Sequence, residues 1–356
     1  MIHVFIGTKA QYIKTAPLLR LMDARGVAYR LIDSGQHARI SIGMRRELRV
    51  REPDLVLGGS ADVSSIPAAL AWSARLAAKL WSGRRLRRDI FAGEGGVCVV
   101  HGDTPSTLLA TLMARRAGLT VAHLEAGLRS HHLLHPFPEE IIRIITMRLA
   151  GILFAPDQTA EQNLASLRVR GAVVPLPANT SLEAVRDALG APPAPGTGPA
   201  IVTMHRVENL HSRARVAGFV RLAVRLAKEY RVRFVMHEPT INALAKHRDD
   251  LEAAGVETTE LAAYPTFVRM IAEAPLVVTD GGSIQEECAV LGVPTLLWRA
   301  RTERPDGLGE NVVLSGYDAR AVERFLDDPG SLRRPPRGWD AAPSEVILDA
   351  LLAAIS

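Results

Sequence analysis

Apolar positions along this chain fall into two patterns that take turns. Short unbroken apolar runs fit parallel strands buried on both faces, while longer stretches with apolar residues three and four apart fit amphipathic helices. The first half reads as strand His3–Ile6, helix Ile13–Ala24, strand Ala28–Asp33 and an arginine-bearing helical stretch. An amphipathic segment Ser65–Ser82 follows, then strand Val97–Val100, helix Ser106–Ala117, strand Thr120–Leu124, a helix from Pro138 to Leu149, strand Ile152–Ala155 and helix Thr159–Leu167. After Pro192-Pro-Ala-Pro-Gly-Thr-Gly-Pro199, which can hold no regular element, the alternation restarts with strand Ala200–Thr203, helix Ser212–Glu229, strand Arg233–Met236 and helix Ile241–Ala254. Helix Pro265–Glu273, strand Leu276–Thr279, helix Ser283–Leu291, strand Thr295–Trp298 and helices Ala319–Leu326 and Pro343–Ile355 complete it.

Strands alternating with helices predict an α/β fold with doubly wound parallel sheets, whose ligands bind beyond the C-terminal ends of the strands. Two such halves are expected: an N-terminal domain over 1–175 and a C-terminal domain over 176–356, with the last helix packing back on the first. A ligand is expected in the cleft they form.

Composition narrows the class. A length of 356 residues suits two domains, and 47% hydrophobic with 23% charged residues describes a globular chain. There is no apolar run of about 18 residues to cross a membrane, and Met1-Ile-His-Val-Phe-Ile-Gly7 does not read as a signal peptide, so the cytoplasm is expected. Cys98 and Cys288 offer neither a disulfide framework nor metal-ligand spacing. The net charge of +5 and a pI near 9.5 come from scattered arginines such as Arg45-Arg46 and Arg84-Arg85-Leu-Arg87-Arg88. Without interleaved aromatics those clusters read as solvated helix faces, not as a nucleic-acid surface.

The polar residues at strand ends carry the chemistry. Pro275-Leu-Val-Val-Thr-Asp-Gly-Gly-Ser-Ile-Gln-Glu-Glu287 passes from apolar strand through glycines into a helix. Free N–H groups at such a helix start attract a diphosphate, glycine permits close approach, and Glu287 one turn on can accept from ribose hydroxyls. In the first half Asp103 and Glu125 follow successive strands, and Glu139 and Arg143 lie a turn apart on the next helix. Crowded carboxylates push their pKa values apart, so that one serves as base while another stays protonated. The plain alternative for Glu139 and Arg143 is an i,i+4 pair on a surface helix. His205 and His237 each follow an apolar strand of the second half.

Gly7-Thr8…Ile13-Lys14, Gln36-His37, His101-Gly-Asp-Thr104, Glu125-Ala-Gly-Leu-Arg129, Pro138-Glu-Glu140…Arg143, His205-Arg206, Ile284-Gln-Glu-Glu287 and Thr302-Glu-Arg-Pro305, in this order over nearly the whole chain, resemble the non-hydrolysing UDP-N-acetylglucosamine 2-epimerases. The resemblance implies a GT-B architecture, two Rossmann-like domains with a nucleotide sugar in the cleft, and a homodimer. It implies elimination of UDP as the C2 proton leaves, a glycal intermediate and re-addition, with no metal and no cofactor. Carried over, Asp103, Glu125, Glu139 and His205 are the catalytic positions with Arg143 as their electrostatic partner. Lys14, Gly282, Ser283 and Glu287 are nucleotide-sugar contacts, and Lys9, His37, Arg206, His237, Gly281 and Arg304 complete the candidate set.

Two departures bear on the sugar. Gly7-Thr8-Lys9-Ala10-Gln11 stands where the family usually has Gly-Thr-Arg-Pro-Glu, replacing a planar guanidinium by a point charge. Gly281-Gly282-Ser283 permutes the usual Ser-Gly-Gly. A third departure concerns regulation. Many bacterial members bind a second UDP-N-acetylglucosamine through a glutamine three residues after the Gln-His pair, where this chain has Arg39. Hyperbolic rates are therefore expected, or activation by another geometry through Arg39. Three readings compete: the epimerase, acting on UDP-N-acetylglucosamine or a C3- or C6-modified relative in surface-polysaccharide or secondary-metabolite synthesis; a hydrolysing 2-epimerase; and a GT-B glycosyltransferase with an acceptor site. The carboxylate trio with His205 favours the first, and it leaves little room for a non-catalytic sensor.

Overall fold

The computed structural model describes residues 1–36, 38–58, 82–132, 138–191 and 193–356, with backbone alone at 38–42. His37 and nearly all of the helix expected over 65–82 lie outside the described residues.

By contact the chain divides into two compact units, Met1–Ala184 with Asp340–Ser356, and Val185–Trp339. The division falls later than the expected boundary at 175/176. Asn179 and Glu183 explain it, because both are buried and bonded within the first unit: Asn179 Nδ2 donates to Glu125 Oε1 at 2.9 Å, and Glu183 accepts from the Ser344 backbone at 3.1 Å. The Pro343–Ile355 helix packs on the Lys9–Ala24 helix, burying Ile347, Leu348 and Leu351.

Each unit is built on one parallel sheet. In the first, β1 (Ile2–Ile6), β2 (Tyr29–Asp33), β3 (Leu55–Val56), β4 (Val97–His101), β5 (Thr120–Leu124), β6 (Ile152–Ala155) and β7 (Ala172–Pro175) run in the order β3-β2-β1-β4-β5-β6-β7. The second orders β8 (Ala200–Thr203), β9 (Val232–Met236), β10 (Glu257–Glu260), β11 (Val277–Thr279), β12 (Thr295–Leu297) and β13 (Val312–Leu314) as β10-β9-β8-β11-β12-β13. Both are doubly wound, with the order reversing beside β1 and β4 in one and beside β8 and β11 in the other. Such switch points leave room beyond the strand ends for ligands.

All the central strands lie close to their expected places, and β3, β7, β10 and β13 do not appear in the sequence reading. These four are the sheet edges. An edge strand is covered less, so its residues need not form an apolar run: Glu257-Thr-Thr-Glu260 carries none. The Ser181–Leu189 helix is likewise additional, and the expected Ile241–Ala254 helix is instead Glu238–Leu244 and Arg248–Ala253 parted by a tight turn at Ala245–His247. Pro239 accounts for the early start, since proline suits a first helical turn.

The first helix also begins early, at Lys9 and not Ile13, because Thr8 and Gln11 form a reciprocal capping box. Arg45 corrects the picture of a wholly solvated arginine surface. It is buried, bonded to Glu52 at 2.6 Å and 3.8 Å from Asp33, whereas Arg84, Arg85, Arg87 and Arg88 are exposed. Each unit has its own apolar core, around Phe91, Met113 and Leu153 in one and Phe219, Phe234 and Phe325 in the other. Each such fully buried side chain contributes about 1.5–3 kcal/mol of transfer free energy.

Candidate active site

In the first unit the polar residues gather beyond β1, β4 and β5. Gln11, 4% exposed, joins the first two strand ends with its amide. Its Oε1 accepts from the Gly7 N–H at 2.6 Å and the Thr8 N–H at 3.1 Å, while Nε2 donates to the His101 carbonyl at 2.6 Å and the Thr107 hydroxyl at 2.9 Å. This pins the segment that carries Asp103.

Two carboxylate–cation pairs follow. Asp103 is paired with Arg143 from the Glu139–Leu149 helix, and Glu125 is paired with buried Lys14 from the first helix. Glu125 also accepts from Asn179, and its second oxygen lies 4.0 Å from His101 Nδ1. Its backbone sits at φ +61°, a left-handed conformation unusual outside glycine.

Behind both pairs, His123 of β5 is fully buried with Nε2 2.8 Å from the Gly102 carbonyl. Burial pushes its pKa down to about 4, against the pull of Asp103 and Glu125. It therefore stays neutral beside the cluster at ordinary pH. Glu140, wholly buried, extends the charges further: it pairs with Arg129, lies 3.5 Å from Arg143 and accepts from the Ser130 N–H at 3.0 Å. Burial raises its pKa, but the Ser130 N–H and Arg129 outweigh that and hold it below the ordinary value. Arg143 thus has carboxylates on two sides, which fixes its guanidinium against Asp103.

In the second unit the helix Gly282–Leu291 starts beyond β11 with Gly281 as its cap and no side-chain cap, so its first N–H groups face outward. Asp280, at the end of the same run, is completely buried. Its Oδ1 accepts from the His205 N–H at 3.0 Å, and its Oδ2 from the Arg206 N–H at 3.0 Å and Asn209 Nδ2 at 2.9 Å. One carboxylate so ties the segment after β8 to the end of β11. A Cβ on Gly281 would stand 2.7 Å from His205 Cε1, so another residue there would displace the His205 ring. The His205 ring faces that of His237 with centroids 5.0 Å apart, and burial lowers the His205 pKa although Asp280 opposes it.

Glu286 and Gln285 lock the two acidic and arginine motifs together. Glu286, 0% exposed, pairs with Arg304, and Gln285 donates to the Arg304 carbonyl at 3.1 Å and accepts from the Thr302 hydroxyl at 2.9 Å. Glu287 is buried beside Tyr264, whose hydroxyl pKa is raised well above its usual value by burial and by that carboxylate.

A family model described as UDP-N-acetylglucosamine 2-epimerase matches residues 20–332. The chain belongs to that family. Among curated UDP-N-acetylglucosamine 2-epimerases it is 30% identical to that of Yersinia pestis over 90% of this chain and 89% of the other. It is 31% identical to that of Escherichia coli strain K12 over 72% of this chain and 75% of the other. The crystal structure of UDP-GlcNAc 2-epimerase from Neisseria meningitidis bound to UDP-GlcNAc superposes with a TM-score of 0.83 at 24% identity, covering 99% of each chain. This epimerase-family chain thus has the GT-B-like fold, two Rossmann-like α/β units.

Of the residues singled out in the sequence, Asp103, Glu125, Arg143 and Lys14 come together in the first unit, with Glu139 opening the helix that carries Arg143. Lys9 is the first residue of its helix. His205, Arg206, His237, Gly281, Gly282, Ser283, Glu287 and Arg304 lie in the second unit, where Arg206 is paired with Glu208 at 2.5 Å. Lys14 and Arg304 are engaged by Glu125 and Glu286, which makes them partners of carboxylates first. His37 and the Arg39 side chain lie outside the described residues. The structure adds Gln11, His123, Asn179, Glu140, Asp280, Asn209 and Glu286. Asp280 had the same signal as Asp103, an acid closing an apolar run. Asn179 had none.

Proposed function

We propose that the protein interconverts UDP-N-acetylglucosamine, or a C3- or C6-modified relative, with its C2 epimer without net hydrolysis. The observation that carries this reading is the set of two carboxylate–cation pairs, Asp103–Arg143 and Glu125–Lys14, standing beyond the adjacent strands β4 and β5 with Glu139 at the head of the next helix.

A carboxylate takes the C2 proton while the C1–O bond to UDP breaks, and the electron pair of the C–H bond becomes the C1=C2 double bond of a glycal. The diphosphate oxygen then bonds C1 again as a proton reaches C2 from the opposite face. Protons and electrons balance with no redox partner. A paired cation keeps one carboxylate ionised as base while another group acts as acid. The second unit holds the nucleotide: the Gly282–Leu291 helix start meets the diphosphate, Glu287 the ribose, and His205 and Arg206 the leaving charge.

The test is NMR of the protein with UDP-N-acetylglucosamine in deuterated water. Deuterium entering C2 with UDP retained on the sugar is expected. Free UDP and N-acetylmannosamine would instead indicate the hydrolysing reaction, and transfer only to an added acceptor a glycosyltransferase. Amide substitution of Asp103, Glu125 or Glu139 should each lower exchange roughly 100-fold or more, and near-normal turnover in all three variants would defeat the assignment.

A further inference from the structure

The geometry points to Asp280 as the positioning residue of His205: the charge of its buried carboxylate favours the imidazole proton on Nδ1 and leaves Nε2 as the nitrogen that meets the ligand. This rests on the catalytic reading of His205 for its consequence, although the tautomer can be read without substrate.

Three observations carry it. The Asp280 carboxylate is 0% exposed and is not a surface counter-ion, since the backbone N–H groups of His205 and Arg206 and the Asn209 amide fix its plane. His205 Nδ1 is buried and makes no hydrogen bond, and the carboxylate oxygen that faces it is Asp280 Oδ1, 3.4 Å away. The ring nevertheless keeps 34% of its surface, and Nε2 takes no partner among the described residues. A buried ring nitrogen beside an ionised carboxylate is stable as N–H and costly as a bare lone pair, so the neutral ring carries its proton on Nδ1.

The groups around the ring are few. Asp280 and Glu208 favour the charged imidazole, Arg206 and Arg299 oppose it, and the His237 ring faces it. Arg299 is itself bonded to Glu303 at 3.1 Å, which leaves Asp280 the nearest charge with both oxygens fixed. With the diphosphate at Nε2, the ring takes a proton from solvent and stands as an imidazolium with Asp280 on its other side. As the C1–O bond breaks, Nε2 donates that proton to the departing diphosphate oxygen, and it takes the proton back when that oxygen bonds C1 again, so the pair regenerates itself within one cycle. Gly281 is part of the device, because any side chain there would push Cε1 away.

The experiment is long-range nitrogen–proton NMR of uniformly 15N-labelled full-length protein, with the His205 ring assigned by loss of its signals in His205→Asn. Wild type should show the Nδ1–H neutral tautomer. In Asp280→Asn the ring should shift toward Nε2–H, its pKa should fall, and the alkaline limb of kcat against pH should move to lower pH. At neutral pH kcat should drop roughly 10- to 100-fold, less than the roughly 100-fold or more of a wholly lost general acid because His205 itself remains, while KM for the UDP sugar changes less than threefold. A wild-type ring protonated on Nε2, or an Asp280→Asn variant with unmoved tautomer and unmoved alkaline limb, would overturn the proposal. Should the variant fail to fold, the wild-type tautomer alone decides. If the tautomer is as stated but no C2 exchange occurs with UDP-N-acetylglucosamine, the epimerase reading fails and the positioning stands.

Discussion

Glu125 shows how much a single residue is asked to do in this fold. It holds a left-handed backbone, which costs on the order of 1–3 kcal/mol outside glycine, and it sits 7% exposed with Lys14 and Asn179 as partners. Removing the cation in Lys14→Met should leave a buried, incompletely matched carboxylate and cost about 3–5 kcal/mol of stability. Urea denaturation at pH 7 checks this, and a loss below about 1 kcal/mol would mean that water already solvates the pair. Gln11 allows a second test with a defined pH sign. In Gln11→Glu one oxygen would face the His101 carbonyl where an N–H now donates, so the folded pKa of that carboxyl is raised. Its bonding is then intact below the unfolded pKa of about 4.3 and lost as pH rises through the folded pKa. The deficit against wild type should be about 1–3 kcal/mol at pH 7 and shrink toward pH 4; a constant deficit across that range would show that charge is not the cause. At this scale the acids and histidines that end apolar runs were legible in the sequence. The partners Asn179 and Glu140 were not, because their meaning comes from burial and from contacts distant in the chain.

At the scale of elements, the sheets impose their own acid sensitivity. His3 in β1 and His123 in β5 are both 0% exposed, and burial lowers both pKa values from 6.5 to about 4. Each is neutral in the fold, so the unfolded chain binds protons first as pH falls below 6.5, and stability drops until the folded ring also titrates near 4. His123 alone accounts for up to about 3 kcal/mol over that window. Denaturation midpoints at pH 7 and pH 4.5 measure it, and replacing His123 by Gln should flatten the dependence; a variant as acid-sensitive as wild type would remove His123 as the cause. Interior strands with unbroken apolar runs, such as Val97–His101, were readable from sequence, and edge strands such as Glu257–Glu260 were not. A strand with one neighbour and one open side has no need of the pattern by which strands are recognised. The helix starts misread at Lys9 and Glu238 depended on side-chain caps and a proline placement that hydrophobic spacing does not encode.

For the whole molecule, the two-unit α/β organisation followed from the repeated alternation, whereas the position of the division did not. It is set by where Asn179 and Glu183 are bonded. The closing helix makes a corresponding prediction. Deleting 340–356 removes Ile347, Leu348 and Leu351 from the first unit, together with the Arg25–Glu345 pair and the Ser344–Glu183 bonds. Loss of that apolar burial at about 1.5–3 kcal/mol per side chain comes to roughly 4.5–9 kcal/mol, most of the stability of a domain at the lower end of the usual 5–15 kcal/mol. The shortened chain should lose the thermal transition of the first unit and keep that of Val185–Trp339, measured by calorimetry. Two transitions unchanged from the full chain would show that the helix is dispensable.

The same return of the chain sets an order on synthesis. Val185–Trp339 is one continuous segment and has all its residues before the Pro343–Ile355 helix is made, whereas the first unit, though residues 1–184 come earlier, waits for that helix. During elongation residues 1–184 are made before that segment and completed after it, with the face of the Lys9–Ala24 helix that will receive Ile347 and Leu351 still open to solvent. Nascent chains arrested near residue 340 should therefore be the species that chaperones retain and proteases cut. Joining Pro343–Ile355 ahead of Met1 through a flexible linker should let the first unit mature before the second is made.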